Sequence, residues 1–314
     1  MLSRLGTVPA IVILVATAGF VIWSYRDFTL PSSDSDDPPA ASDSIPNAID
    51  ANYAEAHAVD NAFRSADGVW IYYDEQGDGE QTLVLVHGWN CDRTYWQLQR
   101  DFLAERYRVV TIDLAGHGES GDNRTVWSID AFADDVASVI VGLDLDNVTL
   151  VGHSMGGNVV VAAAAKLNDR LERVVAVDTL RQPDKTFPPA VVSATLDNLD
   201  ADYTGTVTSF VRSMFVESSP PAVRDFVIRD MASSPPAVGR AALLALAAHN
   251  PMPQLAALTV PMIVINSDYL PTDVDLLSQT VTDFRYVEMP AIGHFVMLED
   301  PVAFTNHLLD AVSR

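Results

Sequence analysis

The residues best suited to chemistry lie in Gly152-His153-Ser154-Met155-Gly156, a G-x-S-x-G pattern. A serine hydroxyl is a weak nucleophile until a histidine takes its proton and an acid orients that histidine. Val148 to Val151 read as a short buried strand, and the apolar run from Asn158 onward reads as a buried helix. A serine on so sharp a strand-to-helix turn has its hydroxyl pushed out at the sheet edge. Gly152 and Gly156 remove side chains that would keep strand and helix apart. The Met155 amide, at the helix N-terminus, points toward an oxygen bound at Ser154. The bland alternative is a glycine-rich turn with a bystander serine, so the rest of the chain must supply a base and an acid.

The base is expected late. Phe284-Arg-Tyr-Val-Glu288 reads as the last strand, and Ala291-Ile-Gly-His294 follows it, which puts His294 where a base must sit. The acid is expected at Asp268, just after the strand Pro261-Met-Ile-Val-Ile265 and 26 residues before His294. Asp178, at the end of Arg173-Val-Val-Ala-Val177, is the fallback, and Asp273 is a more distant third. His87 and His153 are read as shaping loops beside the site and His117 as part of a glycine turn, while His57, His249 and His307 read as ordinary histidines. None is spaced like a metal site, and no G-x-G-x-x-G opens a helix after the first strand, so neither a metal nor a dinucleotide cofactor is assigned. Cys91 forbids an internal disulfide, and nothing marks it as a nucleophile.

These residues need elements to carry them. Val69–Tyr73 alternates like a strand; Thr82–Val86 is a continuous apolar run ending in His87-Gly88-Trp89. Arg108–Ile112 is a further strand, and Asp113-Leu-Ala-Gly-His-Gly-Glu-Ser120 is a glycine-rich loop. Ser128–Leu143 has helical periodicity with Asp130, Asp134 and Asp135 on its polar side. Strands alternating with helices argue for a parallel sheet covered on both faces, with chemistry at the carboxyl ends of the strands.

In their order and spacing, His87-Gly88, the Asp113-x-x-Gly-x-Gly-x-Ser120 loop and Gly152-His-Ser-Met-Gly-Gly157 resemble the α/β-hydrolase family, over about residues 63–314. The resemblance implies an eight-stranded, mostly parallel sheet with helices on both faces and a cap inserted after the sixth strand. The order Ser154, Asp268, His294 matches the family's nucleophile, acid and histidine, and the amides of Trp89 and Met155 would form the oxyanion hole. Two positions depart from the pattern. The family often has a glycine where Asn266 stands, and its acid one residue beyond Asp268, where this chain has Tyr269. Serine at 154 argues against the epoxide-hydrolase and dehalogenase branches, which carry aspartate there.

The cap is expected over about residues 180–236, where seven prolines punctuate short helices near Tyr203–Phe215 and Ala222–Met231. Phe210, Val211, Met214, Phe215 and Phe226 fall at helical spacings, either packing on the cap's own core or lining a substrate pocket.

Composition sets the outer limits. At 314 residues and 48% hydrophobic the chain can bury one large core or two modest ones. A net charge of -23, from 42 acidic and 19 basic residues, argues against a nucleic-acid partner, because phosphate binding needs clustered cations. Arg4 precedes an apolar run that reaches 19 residues from Leu5 to Trp23, then Tyr25-Arg26. Residues 1–26 therefore read as an uncleaved membrane anchor with the bulk of the chain on the extracytoplasmic side; a signal peptide cleaved near Ala16-Thr17-Ala18 is the alternative. Residues 27–52, dense in proline, serine and aspartate, read as a solvated tether, and 53–314 as the catalytic domain.

The expected function is hydrolysis of a small carboxylic ester through an acyl-enzyme, without a cofactor. The same residues leave open cofactor-free haloperoxidase or perhydrolase chemistry, carbon–carbon hydrolysis and acyl transfer. A rival of another class is a non-catalytic ligand-binding protein on the same fold. Oligomeric state is not legible in the sequence.

Overall fold

Long β-branched runs punctuated by loops build a sheet whose central strands are buried on both faces. The computed structural model describes residues 61–313. The expected anchor and tether, residues 53–60 and with them His57 lie outside the described residues. No helix among the described residues is long and apolar enough to cross a membrane. The strands are β1 (Ala62–Arg64), β2 (Trp70–Gln76), β3 (Thr82–Val86), β4 (Arg108–Ile112), β5 (Val148–His153), β6 (Leu171–Val177), β7 (Met262–Ser267) and β8 (Phe284–Met289). They form one sheet in the order β1-β2-β4-β3-β5-β6-β7-β8. β2 pairs antiparallel with β1 and β4, and every pairing from β4 to β8 is parallel. The eight-stranded, mostly parallel sheet that the family resemblance implied is thus present. Every residue of β3, β5 and β7 is buried, as continuous apolar strands require.

The helices are α1 (Gln97–Leu103), α2 (Ile129–Gly142), α3 (Met155–Leu167), α4 (Pro189–Ala201), α5 (Tyr203–Arg212), α6 (Pro221–Ser233), α7 (Pro236–Ala248), α8 (Met252–Ala256), α9 (Val274–Thr280), α10 (Val296–Glu299) and α11 (Pro301–Val312). The chain steps one way from β3 to β4 and the other way from β4 to β5. Right-handed crossovers therefore place α1 and α2 on opposite faces of the sheet. Accordingly α2 packs with α3, and α1 with α11. The reversal at β3 opens a crevice where β3 and β5 lie side by side, with Val86 opposite Gly152. Gly152 in turn faces Ala176, and Val177 faces Ile265, so the loops after β3, β5, β6 and β7 emerge along one edge.

Between β6 and β7 run α4 to α8. Proline pairs start three of these helices. The first proline of each pair, Pro188, Pro220 or Pro235, is extended, and the second opens α4, α6 or α7. The logic is local: a residue before proline is steered out of the helical region, while proline at the first helical position loses no hydrogen bond.

Asp135 differs from the expected polar face of α2. It has no solvent exposure, because Ser65 Oγ, the Ala115 amide and the Arg124 guanidinium all donate to its carboxylate. Arg124 also pairs with Asp67. A buried carboxylate is tolerable when so fully bonded, and the removal of one partner strands the other charge. Arg124→Met should therefore lower unfolding stability by about 3–5 kcal/mol in urea titrations; a loss below about 1 kcal/mol would show that the pair does not brace the loop before α2.

Candidate active site

The turn from β5 into α3 carries Ser154 in the left-handed region, at φ 55°. A non-glycine residue there costs about 1–3 kcal/mol and persists only when its surroundings hold it. Here the Ser154 amide donates to Val177 O at 2.9 Å, and its carbonyl accepts from the Gly157 amide at 3.0 Å and from Thr179 Oγ1 at 2.8 Å. The two glycines of the motif serve close approach. A Cβ on Gly152 would lie 2.2 Å from Gly156 O, and one on Gly156 would lie 2.4 Å from His87 O. The loop after β3 passes directly beside the serine, since a Cβ on Gly88 would sit 3.2 Å from Ser154 Cβ. Trp89 and Met155 are therefore neighbours of Ser154, with Trp89 and the serine lining one pocket.

His294, in the loop after β8, is buried and lines that pocket. Its Nδ1 lies 2.5 Å from Asp178 Oδ2. An ionised carboxylate can only accept, so Nδ1 carries the proton and Nε2 is left as the basic nitrogen. The carboxylate is ionised. Burial by itself would raise its pKa, but Arg181, His294 and the Ser267 amide outweigh burial and hold it well below the usual carboxylate range.

The carboxylate that meets His294 is thus Asp178 and not Asp268, the acid expected from sequence. Asp268 is exposed, accepts from the Ala291 amide at 2.9 Å, and is not the partner of His294. The reason is strand alternation. The Asp268 amide still pairs with Met289 O, so Ser267 and Asp268 point to opposite faces, and Ser267 takes the inward one against Asp178. Asp273 caps α9 through the Leu276 amide at 3.0 Å.

His87 and His153 act as loop fasteners. His87 Nε2 accepts from the Leu114 amide at 3.0 Å, and its Nδ1 donates to Gly88 O at 2.8 Å. His153 Nε2 donates to His294 O at 3.0 Å, with the two rings 4.7 Å apart. Burial pulls His87 down to about 4 and His153 and His117 to about 3, so all three are neutral near pH 7. His307 is half-buried on α11, and His249 lies just beyond α7. Among the described residues, no group of three or more His, Cys, Asp or Glu is placed to hold a metal ion.

Helices between β6 and β7 roof the site. Phe210, Met214, Met231, Leu243 and Leu246 line the pocket from above, and Phe295 lines it from the body. Val211 is buried, Phe215 stacks on Phe295 at 5.4 Å, and Phe226 tilts against Tyr95 at 5.8 Å. The five expected aromatic and aliphatic residues therefore divide between pocket and packing. Polar bonds fasten the roof to both loops beside the serine. Trp89 Nε1 donates to Gly239 O at 2.7 Å, and Asn90 Nδ2 donates to Tyr203 Oη at 2.7 Å. The His294 amide donates to Met214 O at 2.9 Å. Glu299 accepts from the Gly293 and Phe295 amides on either side of His294 and from Ser219 Oγ. Sequence reasoning did not find these fasteners, because only the fold brings residues this far apart in the chain together.

A profile of the alpha/beta hydrolase family matches residues 83–307. The chain is 27% identical over 253 residues to the pimeloyl-[acyl-carrier protein] methyl ester esterase of Nitrosomonas europaea, covering 75% of this chain and 97% of that protein. An uncharacterized protein of Mycobacterium tuberculosis is 33% identical over 115 residues, 37% of this chain; the match spans about a third (33%) of that relative's length. Among solved structures, a thermophilic esterase from Thermogutta terrifontis superposes with a TM-score of 0.72 at 27% identity, covering 82% of this chain and 98% of that one.

One more roof bond titrates. Tyr95 Oη donates to Asp230 Oδ2 at 2.7 Å, and burial pushes the Asp230 carboxyl up to about 6. The folded state therefore holds this proton more tightly than the unfolded chain, so the group weakens the fold as pH rises from about 4 to 6. Asp230→Asn keeps an acceptor for Tyr95. It should raise stability at pH 7 by on the order of 2 kcal/mol and change little at pH 4, as read from thermal midpoints at both pH values. Equal shifts at the two pH values would count against this assignment.

Proposed function

Because the chain belongs to the alpha/beta hydrolase family, we propose that it hydrolyses carboxylic esters with Ser154 as nucleophile, His294 as base and Asp178 as acid. The observation that carries the proposal is the 2.5 Å contact of His294 Nδ1 with a buried carboxylate, beside a serine held at φ 55° in the same pocket. His294 Nε2 takes the proton of Ser154 Oγ as the oxygen attacks the acyl carbonyl. The amides of Trp89 and Met155 receive the charge that develops on the carbonyl oxygen, each donor contributing roughly 3–4 kcal/mol. His294 then gives its proton to the departing alcohol. Water, deprotonated by the same nitrogen, attacks the acyl-enzyme, and His294 passes that proton to Ser154 Oγ as the acid leaves. Asp178 holds the Nδ1 proton throughout and stabilises the imidazolium.

The relatives support the ester class. The proteins it resembles in Nitrosomonas europaea and Thermogutta terrifontis are described as esterases. The pocket walls supplied by the roof are apolar, which suits an uncharged acyl or alkoxy group. The proposal includes the membrane tether through residues 1–26, motivated by the apolar run from Leu5 to Trp23. Resistance of the full chain to alkaline carbonate extraction would support it, and a protein recovered free of membrane would sink it.

The test uses the full chain with a fluorophosphonate probe and p-nitrophenyl esters of increasing chain length. Ser154→Ala should abolish labelling and lower turnover by about 10⁴–10⁶-fold. Asp178→Asn should lower kcat by about 10⁴-fold, while Asp268→Asn stays within about twofold of wild type. A folded wild type that neither labels nor turns over would favour a binding protein on this fold. A loss confined to the Asp268 variant would return the acid to the position expected from sequence.

A further inference from the structure

Arg181 has no solvent exposure, and the proposed chemistry does not use it. Its Nη2 donates to Asp178 Oδ1 at 2.5 Å and to Ser267 Oγ at 2.8 Å. Its Nη1 donates to Ser267 O at 3.0 Å and to Leu270 O and Thr272 Oγ1. One guanidinium thus joins the turn after β6 to the loop after β7. That turn is strained twice, with Asp178 at φ 47° and Leu180 at φ 51°. Asn266 fastens it from the other side: its Oδ1 accepts from the Thr179 amide, and its Nδ2 donates to Thr179 O, both at 3.0 Å.

The two oxygens of Asp178 have different surroundings. Oδ1 receives Arg181 Nη2, the Ser267 amide and Ser267 Oγ, whereas Oδ2 faces His294. Three donors on one oxygen fix the plane of the carboxylate and leave the other oxygen for the imidazole. The fork also sets the charge around the base. Asp178 and the Glu299 carboxyl, which accepts from the amides on either side of His294, both face the base, so removing the Arg181 charge leaves its surroundings more favourable to an imidazolium.

We propose that Arg181 is a positioning residue of the Ser154–His294–Asp178 site. With Ser267 it orients Asp178 and turns the loop after β7 into a cradle for an acid supplied by β6. This inference rests on the ester-hydrolase reading. Asn266 and Tyr269, the two departures from the family pattern, belong to the same rearrangement. Asn266 braces the acid's turn, and Tyr269 Oη donates instead to Ser213 O of the roof.

The experiment compares full-chain wild type, Arg181→Lys, Arg181→Met and Ser267→Ala. Reactive serines are counted by fluorophosphonate titration, so that kcat, KM and the rate–pH profile on p-nitrophenyl butyrate refer to folded sites alone. Arg181→Lys keeps the charge and loses the fork, and should lose kcat about tenfold with KM within about threefold. Arg181→Met should lose about 100-fold, and the acid limb of its rate–pH profile should move up by about one unit. Ser267→Ala should lose less than Arg181→Met. Wild-type kcat and an unmoved acid limb per labelled site would make Arg181 merely structural and overturn the proposal. If Arg181→Met does not fold, wild-type kcat in both Arg181→Lys and Ser267→Ala overturns it. A wild type that neither labels nor turns over defeats the ester-hydrolase reading first and this inference with it.

Discussion

A carboxylate with no access to water is the constraint on which the rest of this site depends. Asp178 has lost its hydration entirely, so the protein must surround it with donors. Those donors come from the turn after β6, the end of β7 and the loop after β8. Satisfying one buried charge therefore aligns three strand ends with one another. Since Ser154 is tied through its amide to Val177 and through its carbonyl to Thr179, its strained backbone is held by the same segment. Ser154, His294 and Asp178 are thus brought together around the end of β6.

The parts of this arrangement that were legible in sequence are those that local geometry decides. Gly152 and Gly156 around Ser154 mark a backbone contact too close for side chains, and the structure shows that contact between Gly156 and His87. His294 follows a glycine after the last strand, where a loop reaches the sheet edge. The parallel strands announced themselves as unbroken apolar runs because both faces are covered. The carboxylate partner of His294 was not legible, because Asp178 and Asp268 both stand at strand ends. Choosing between them depends on which side chain the pleat turns inward, and one residue of register reverses that choice. Asn266 and Tyr269 were the visible trace of the difference. Asp135 failed for a related reason: helical periodicity put it with the polar residues, and only the approach of Arg124 and Ser65 makes its burial sustainable.

The roof shows a division that the sequence does not display. Three of its bonds to the two loops beside the serine run through main-chain carbonyls, next to side-chain bonds at Tyr203 and Ser219: Gly239 O receives the Trp89 indole, Met231 O receives Asn90, and Met214 O receives the His294 amide. Gly239 and Met231 sit on α7 and α6, which proline pairs initiate, and Met214 lies just beyond α5, so these three acceptors are set by the backbone. The walls of the pocket, by contrast, are side chains of the same segments.

That separation has an evolutionary reading. Backbone groups are common to all residues, so Phe210, Met231, Leu243 and Leu246 can drift to other apolar side chains while the carbonyls that hold the loops stay in place. Pocket lining and loop fastening reside in different atoms of one segment. A lineage built in this way can explore new substrates by changing its wallpaper while leaving the frame untouched.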